Sequence, residues 1–100
     1  MTKPLSSQEL VRLSWLTELR RQGHRQCTGV GARSGGMVCA LKLLSEVAGT
    51  RSWFSRETSE AAGLTNGQAV RVIRMNDGSE NHRRHTFAEI ADVVEGWFKK

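Results

Sequence analysis

The chain is 100 residues long, enough for one domain that buries roughly two-thirds of its unfolded surface. It is 38% apolar and 25% charged, a globular composition, and no apolar run approaches the roughly 18 residues of a membrane span. Two cysteines are too few for a disulfide scaffold and the opening MTKPLSSQEL lacks a secretory signal's apolar centre, so the expected setting is a reducing cytoplasm. A large catalytic domain is excluded by size.

Ser6 and Glu9 form a Ser-x-x-Glu capping box, with Leu5 and Leu10 at the staple positions around it. Leu10, Leu13, Leu16 and Leu19 follow at near-helical spacing, and Val11 and Trp15 widen the stripe, so a helix is predicted over 7–22 and stopped by Gly23. Residues 23–36 hold five glycines and read as a loop with room for one short extended piece. The next helix, 37–48, is apolar over most of its circumference and is expected at the centre of the fold. Trp53 and Phe54 are expected as core anchors in a turn. Ser55 can cap a short helix 56–62, closed by Gly63.

Residues 66–75 are ambiguous. Val70, Val72 and Ile73 are β-branched and argue for a strand, whereas Thr65 and Gln68 make a second capping box; helix is the favoured reading, ended by Asn76, Asp77 and Gly78. After a polar loop to His85, Thr86 and Glu89 make a third box. Phe87, Ile90, Ala91, Val94, Trp97 and Phe98 then trace an amphipathic helix over 87–98. The expected fold is all-α, a single compact bundle of four to five short helices with a Gly/Arg-rich loop. Its expected core is Trp15, Leu16, Leu41, Leu44, Trp53, Phe87, Ile90, Val94 and Trp97.

Charge is uneven. Fifteen Lys and Arg oppose 10 Asp and Glu, and no acid lies between Glu18 and Glu46. That stretch holds Arg20, Arg21, Arg25, Arg33 and Lys42, with His24 among them; the remaining 10 bases match the 10 acids. An arginine-rich ledge attracts phosphate- and carboxylate-bearing partners. These residues, with Ser34, form the first candidate binding surface. Arg71, Arg74, Arg83 and Arg84 form a second, suited to nucleic acid.

Other constellations are weaker. Gly29, Gly31 and Gly35 precede a helix, but neither a dinucleotide strand nor a Gly-Lys-Ser/Thr step accompanies them; a plain anion site on 34–37 beside Arg33 is what they allow. His24 with Cys27, and His82 with His85, have ligand chemistry for zinc but unfamiliar spacing and Arg neighbours, with Cys39 a core filler. His24 and Cys27 lack a third group to orient the imidazole, so no catalytic residue, metal or cofactor is assigned. Phe87–Ala91 looks like the first helix of a helix-turn-helix, but about nine residues to Lys100 leave no room for a recognition helix.

The order of motifs resembles small bacteriophage and prophage proteins of no assigned activity. The matching pieces are Trp15 with Leu19-Arg20, Gln26 to Gly29, Cys39 to Gly49, Gly63-Leu64, and Met75-Asn76-Asp77 leading to Thr86-Phe87-Ala88-Glu89-Ile90-Ala91-Asp92. The chain departs from that pattern at Ala40, Lys42 and Ser45. The resemblance implies a bacterial host cytoplasm and a non-enzymatic accessory protein. In that reading it inhibits a bacterial defence system, in the manner of an anti-CRISPR, by occupying an acidic or nucleic-acid-bearing surface of a protein or nucleoprotein. Direct DNA or RNA binding, and sequestration of a small phosphorylated signal at 29–37, are the alternatives. No membrane partner is expected, and the oligomeric state, a homodimer included, stays open.

Overall fold

The computed structural model describes residues 5–27, 32–33, 36–78 and 83–99. The chain runs through α1 (Ser7–Arg21), a 3-10 turn (Gly23–Arg25), β1 (Ala32–Arg33), β2 (Met37–Val38), α2 (Ala40–Ala48), α3 (Arg56–Ala61), α4 (Asn66–Asp77) and α5 (Phe87–Phe98). It is an all-α bundle with one two-stranded hairpin. All three capping boxes are formed, each hydroxyl accepting an N–H and each Glu or Gln side chain accepting the cap residue's own N–H. At Thr65 this resolves the ambiguous segment as helix, extended to Asp77. No described helix is long and apolar enough to cross a membrane.

Two expectations about boundaries and facing are corrected. Helix α2 starts at Ala40 rather than 37, because Met37 and Val38 pair antiparallel with Arg33 and Ala32, and Cys39 serves as the N-cap. On α1 the buried stripe is Trp15, Leu16 and Leu19, while Leu5, Leu10 and Leu13 stand about half exposed. Gln8 Nε2 donates to Glu60 O at 2.8 Å and Arg12 Nη1 to Ala62 O at 3.0 Å, with the Arg12 guanidinium 3.6 Å over the Phe98 ring. Gln8 and Arg12 lie on the same side of α1 as buried Trp15, Leu16 and Leu19, which leaves Leu10 and Leu13 on the other.

The core collects Trp15, Leu16, Leu41, Leu44, Phe87, Ile90 and Val94, all buried, with Trp53 and Trp97 packed half-buried against it. Phe54 is exposed, a departure from its expected anchoring role. Trp15 Nε1 donates to Ala40 O at 3.0 Å, tying α1 to the start of α2.

A buried amide pair holds four segments together. Asn76, expected as a helix terminator, lies inside α4 at 1% exposure. Its Nδ2 donates to Cys27 O at 2.8 Å, and its Oδ1 accepts from Ala40 N and Gln26 Nε2, each at 3.2 Å. Gln26 Nε2 also donates to His85 O at 2.7 Å, and its Oε1 accepts from Phe87 N at 3.2 Å. Backbone groups at the starts of α2 and α5, which lack intrahelical partners, are satisfied here.

Arg83 and the N-cap backbone both hold Glu89, and the Arg83 hydrogen bond is the larger cause of its carboxyl falling from 4.5 to about 2. A folded-state pKa below the unfolded one means stability contributed fully above pH 4.5 and lost as pH falls through about 2. The gain is small because the pair is solvent-screened. A carbon-detected titration of the Glu89 carboxyl is expected to give a midpoint near 2, moving up in Arg83→Ala; an ordinary carboxylate midpoint in the native chain would contradict the contact.

Candidate nucleic-acid interface

The turn between α3 and α4 is four residues, Ala62 to Thr65, with Gly63 left-handed at φ 75°. Thr58, Ser59 and Ala62 on one side, Leu64 in the turn, and Ala69 and Val72 on the other are all buried. Thr58, Ser59, Ala62 and Ala69 are small, and α2 packs against both helices. Two helices joined by a short glycine-bearing turn, with α2 packed against both, are the parts from which a helix-turn-helix is built, and α4 is the second helix of the pair.

Hydroxyls brace the entrance to α3. Ser55 Oγ accepts from Thr58 N at 3.2 Å, Ser45 Oγ donates to Thr50 O at 2.8 Å, and the Thr50 and Thr58 hydroxyls are hydrogen-bonded to each other. Its exit is braced by Gln8 and Arg12 from α1, whose bonds to Glu60 O and Ala62 O satisfy terminal carbonyls. At Gly63 an alanine Cβ would stand 3.1 Å from Arg12 Nη1 in a conformation that L residues resist. Gly63→Ala is expected to destabilise the chain by about 1–2 kcal/mol from the left-handed backbone alone. A urea midpoint unchanged from wild type would show that the turn is not under this constraint.

The candidate cations divide sharply. Arg20 bonds Asp92 at 2.9 Å and reaches Glu95 at 3.5 Å, and the Asp92 contact raises its pKa further. Arg21 pairs with Glu18 at 2.8 Å. Arg25 is held by Gly36 O at 2.6 Å, Gln22 Oε1 at 2.6 Å and Glu46 at 3.2 Å. The acid-free stretch of sequence therefore meets carboxylates in space, from Glu18, Glu46 and α5. His24 is exposed beside it and Lys42 half-buried on α2. The Arg33 side chain and Ser34 lie outside the described residues, as do Gly29 and Gly31 of the candidate anion loop.

Of the second set, Arg83 pairs with Glu89, and Arg84 is exposed. Arg71 and Arg74 are exposed on α4, and neither makes an ion pair among the described residues. Arg71 lies 5.7 Å from the Trp97 ring centroid. Asn66, Gly67 and half-buried Val70 complete the solvent face of α4's first turns. The structure thus brings together one arginine pair on a helix that follows a glycine turn, and neutralises most of the ledge.

Sequence reading weighed a helix-turn-helix at Phe87–Ala91 and set it aside, and it did not pick out the two helices joined at Gly63. The signal is present as Ser55, Gly63 and the Thr65/Gln68 box bracketing two helices, with small residues at 58, 59, 62 and 69. Among the described residues no three His, Cys, Asp or Glu side chains converge on a metal position, and His82 lies outside them. Cys27 and Cys39 are both reduced and buried. Burial pushes the Cys39 thiol up, and its Sγ accepts from Lys42 N at 3.4 Å. Alkylation of Cys39 at neutral pH is expected to be at least about tenfold slower folded than in urea; equal rates would mean that the α2 N-terminus opens readily. No family model, no curated protein and no solved structure matches the chain.

Proposed function

We propose that this chain is a non-enzymatic regulator that binds duplex DNA, with α4 entering the major groove. The observation that carries the reading is the pair Arg71 and Arg74, exposed and, among the described residues, without carboxylate partners on the helix that follows the Gly63 turn. Guanidinium forks suit guanine edges and phosphates, and a helix following such a turn is the element that reaches base edges. Val70 beside them offers an apolar contact of the kind that meets a thymine methyl.

The anti-defence reading draws on the same chemistry. With Arg20, Arg21 and Arg25 each bonded to an acid, α4 offers a face of two unpaired arginines, among the described residues, to an acidic or nucleic-acid-bearing target. What favours DNA is the shape of the support, since a protein surface needs no turn-and-helix pair.

Fluorescence anisotropy with a labelled random-sequence duplex tests the proposal. Binding should weaken steeply with salt, and Arg74→Ala should reduce the slope of log K against log salt by about one. Arg20→Ala should leave the slope unchanged. No binding at low salt, or a loss that follows Arg20 and Arg21 instead, would overturn it.

A further inference from the structure

Between α4 and α5 lies a groove of about 430 Å³ lined by Arg71, Arg74, Met75, His85 and Val93. Its exposed residues are Arg71 and Arg74, its half-buried ones include Met75 and Val93, and the Arg71 guanidinium lies 5.7 Å from the Trp97 ring centroid. A DNA phosphate would use the arginines and gain nothing from Met75 and Val93. A volume in this range, between helices, with an apolar lining and a few convergent polar groups, is the usual form of a small-molecule site.

His85 adds a second observation. Its backbone is fixed at both ends, N–H donating to Met75 O at 2.7 Å and C=O accepting from Gln26 Nε2 at 2.7 Å. Its ring Nδ1 is shut away from solvent with no hydrogen-bond partner. A buried polar atom left without a partner calls for an explanation, and a ligand site is one.

We infer that this groove binds a small aromatic anion, its carboxylate or phosphate held by Arg71 and Arg74 and its ring laid on Met75 and Val93. The site stands on the groove alone. Its consequence rests on the DNA reading: the ligand occupies the two arginines that α4 would offer to DNA, so binding of one opposes binding of the other by linkage.

The test is a titration of the full chain with 4-hydroxybenzoate, phenyl phosphate and inorganic phosphate, followed by methyl resonances of Met75 and Val93. Saturable shifts at both methyls are expected with at least one aromatic anion, and the tighter of the two names the headgroup. Inorganic phosphate should bind about tenfold more weakly or not at all. Arg71→Ala should abolish saturation, while Arg51→Ala, an exposed arginine elsewhere, should not. Absence of saturation with either aromatic anion up to about 10 mM, equal binding of inorganic phosphate, or an equal effect of Arg51→Ala would overturn the site. A saturating ligand should raise the apparent Kd for duplex DNA about tenfold or more. Ligand binding that leaves DNA affinity unchanged would overturn the competition while leaving both binding sites in place. A chain that takes the ligand but never binds duplex would instead overturn the DNA reading.

Discussion

Asn76→Ala should lower stability by about 2–6 kcal/mol, the largest effect of any single change considered for this fold. The substitution removes the acceptor for Ala40 N and the donor to Cys27 O, and takes one of two acceptors from Gln26 Nε2. Ala40 is completely buried and Cys27 nearly so, so water cannot replace the lost bonds. Leaving the buried Ala40 N unsatisfied costs about 1–3 kcal/mol, and the lost bonds to Cys27 O and Gln26 Nε2 and the space vacated by the amide add to it. Small domains are stable by only about 5–15 kcal/mol, so the variant stands close to unfolding at ordinary temperature. Asn66→Ala, at the exposed first position of the same helix, should stay within about 0.5 kcal/mol of wild type. Chemical denaturation of both variants makes the comparison; a loss below about 1 kcal/mol in Asn76→Ala would mean that the amide pair is not the clamp described.

The second large effect concerns binding. The double change Arg71→Ala with Arg74→Ala should weaken duplex binding about 100-fold or more at moderate salt, while the thermal midpoint stays near wild type because both side chains are exposed. Base-edge contacts are worth about 1–3 kcal/mol each, and phosphate contacts set the salt slope. The two roles separate in a selection from random duplexes. A single change that relaxes preference at one base position marks a base-reading arginine, and one that lowers affinity uniformly marks a phosphate anchor. Retained affinity in the folded double variant would remove α4 from the interface.

Much of the fold was legible because its helices begin on side-chain devices that are local in sequence. Ser6, Thr65 and Thr86 each sit three residues before a Glu or Gln, and no distant contact is needed to form the box. Facing was less legible. The leucines of α1 suggested one stripe, but burial of Trp15, Leu16 and Leu19 sets its inner side, and the Gln8 and Arg12 bonds to α3 and its turn lie on that same side.

The binding surface was hardest to read for a similar reason. An acid-free run from Leu19 to Ser45 is a statement about sequence neighbours only; Asp92 and Glu95, which neutralise Arg20, are more than seventy residues away along the chain. Arg71 and Arg74 stood out in the sequence only together with Arg83 and Arg84; the fold separates them, pairing Arg83 with Glu89 and leaving Arg71 and Arg74 without a carboxylate among the described residues. Asn76 shows the same limit. Read locally it is a helix terminator, and its role as a buried clamp depends on Cys27, Ala40 and Gln26 arriving from elsewhere.

The most direct measurement is a backbone amide map of the folded chain with and without a tightly bound duplex. Shifts and line broadening should cluster on Thr65 to Arg74 and the Gly63 turn, with α1 and its Arg20–Asp92 contact undisturbed. A map centred on α1 and the 3-10 turn, or one with no localised change, would contradict recognition by α4.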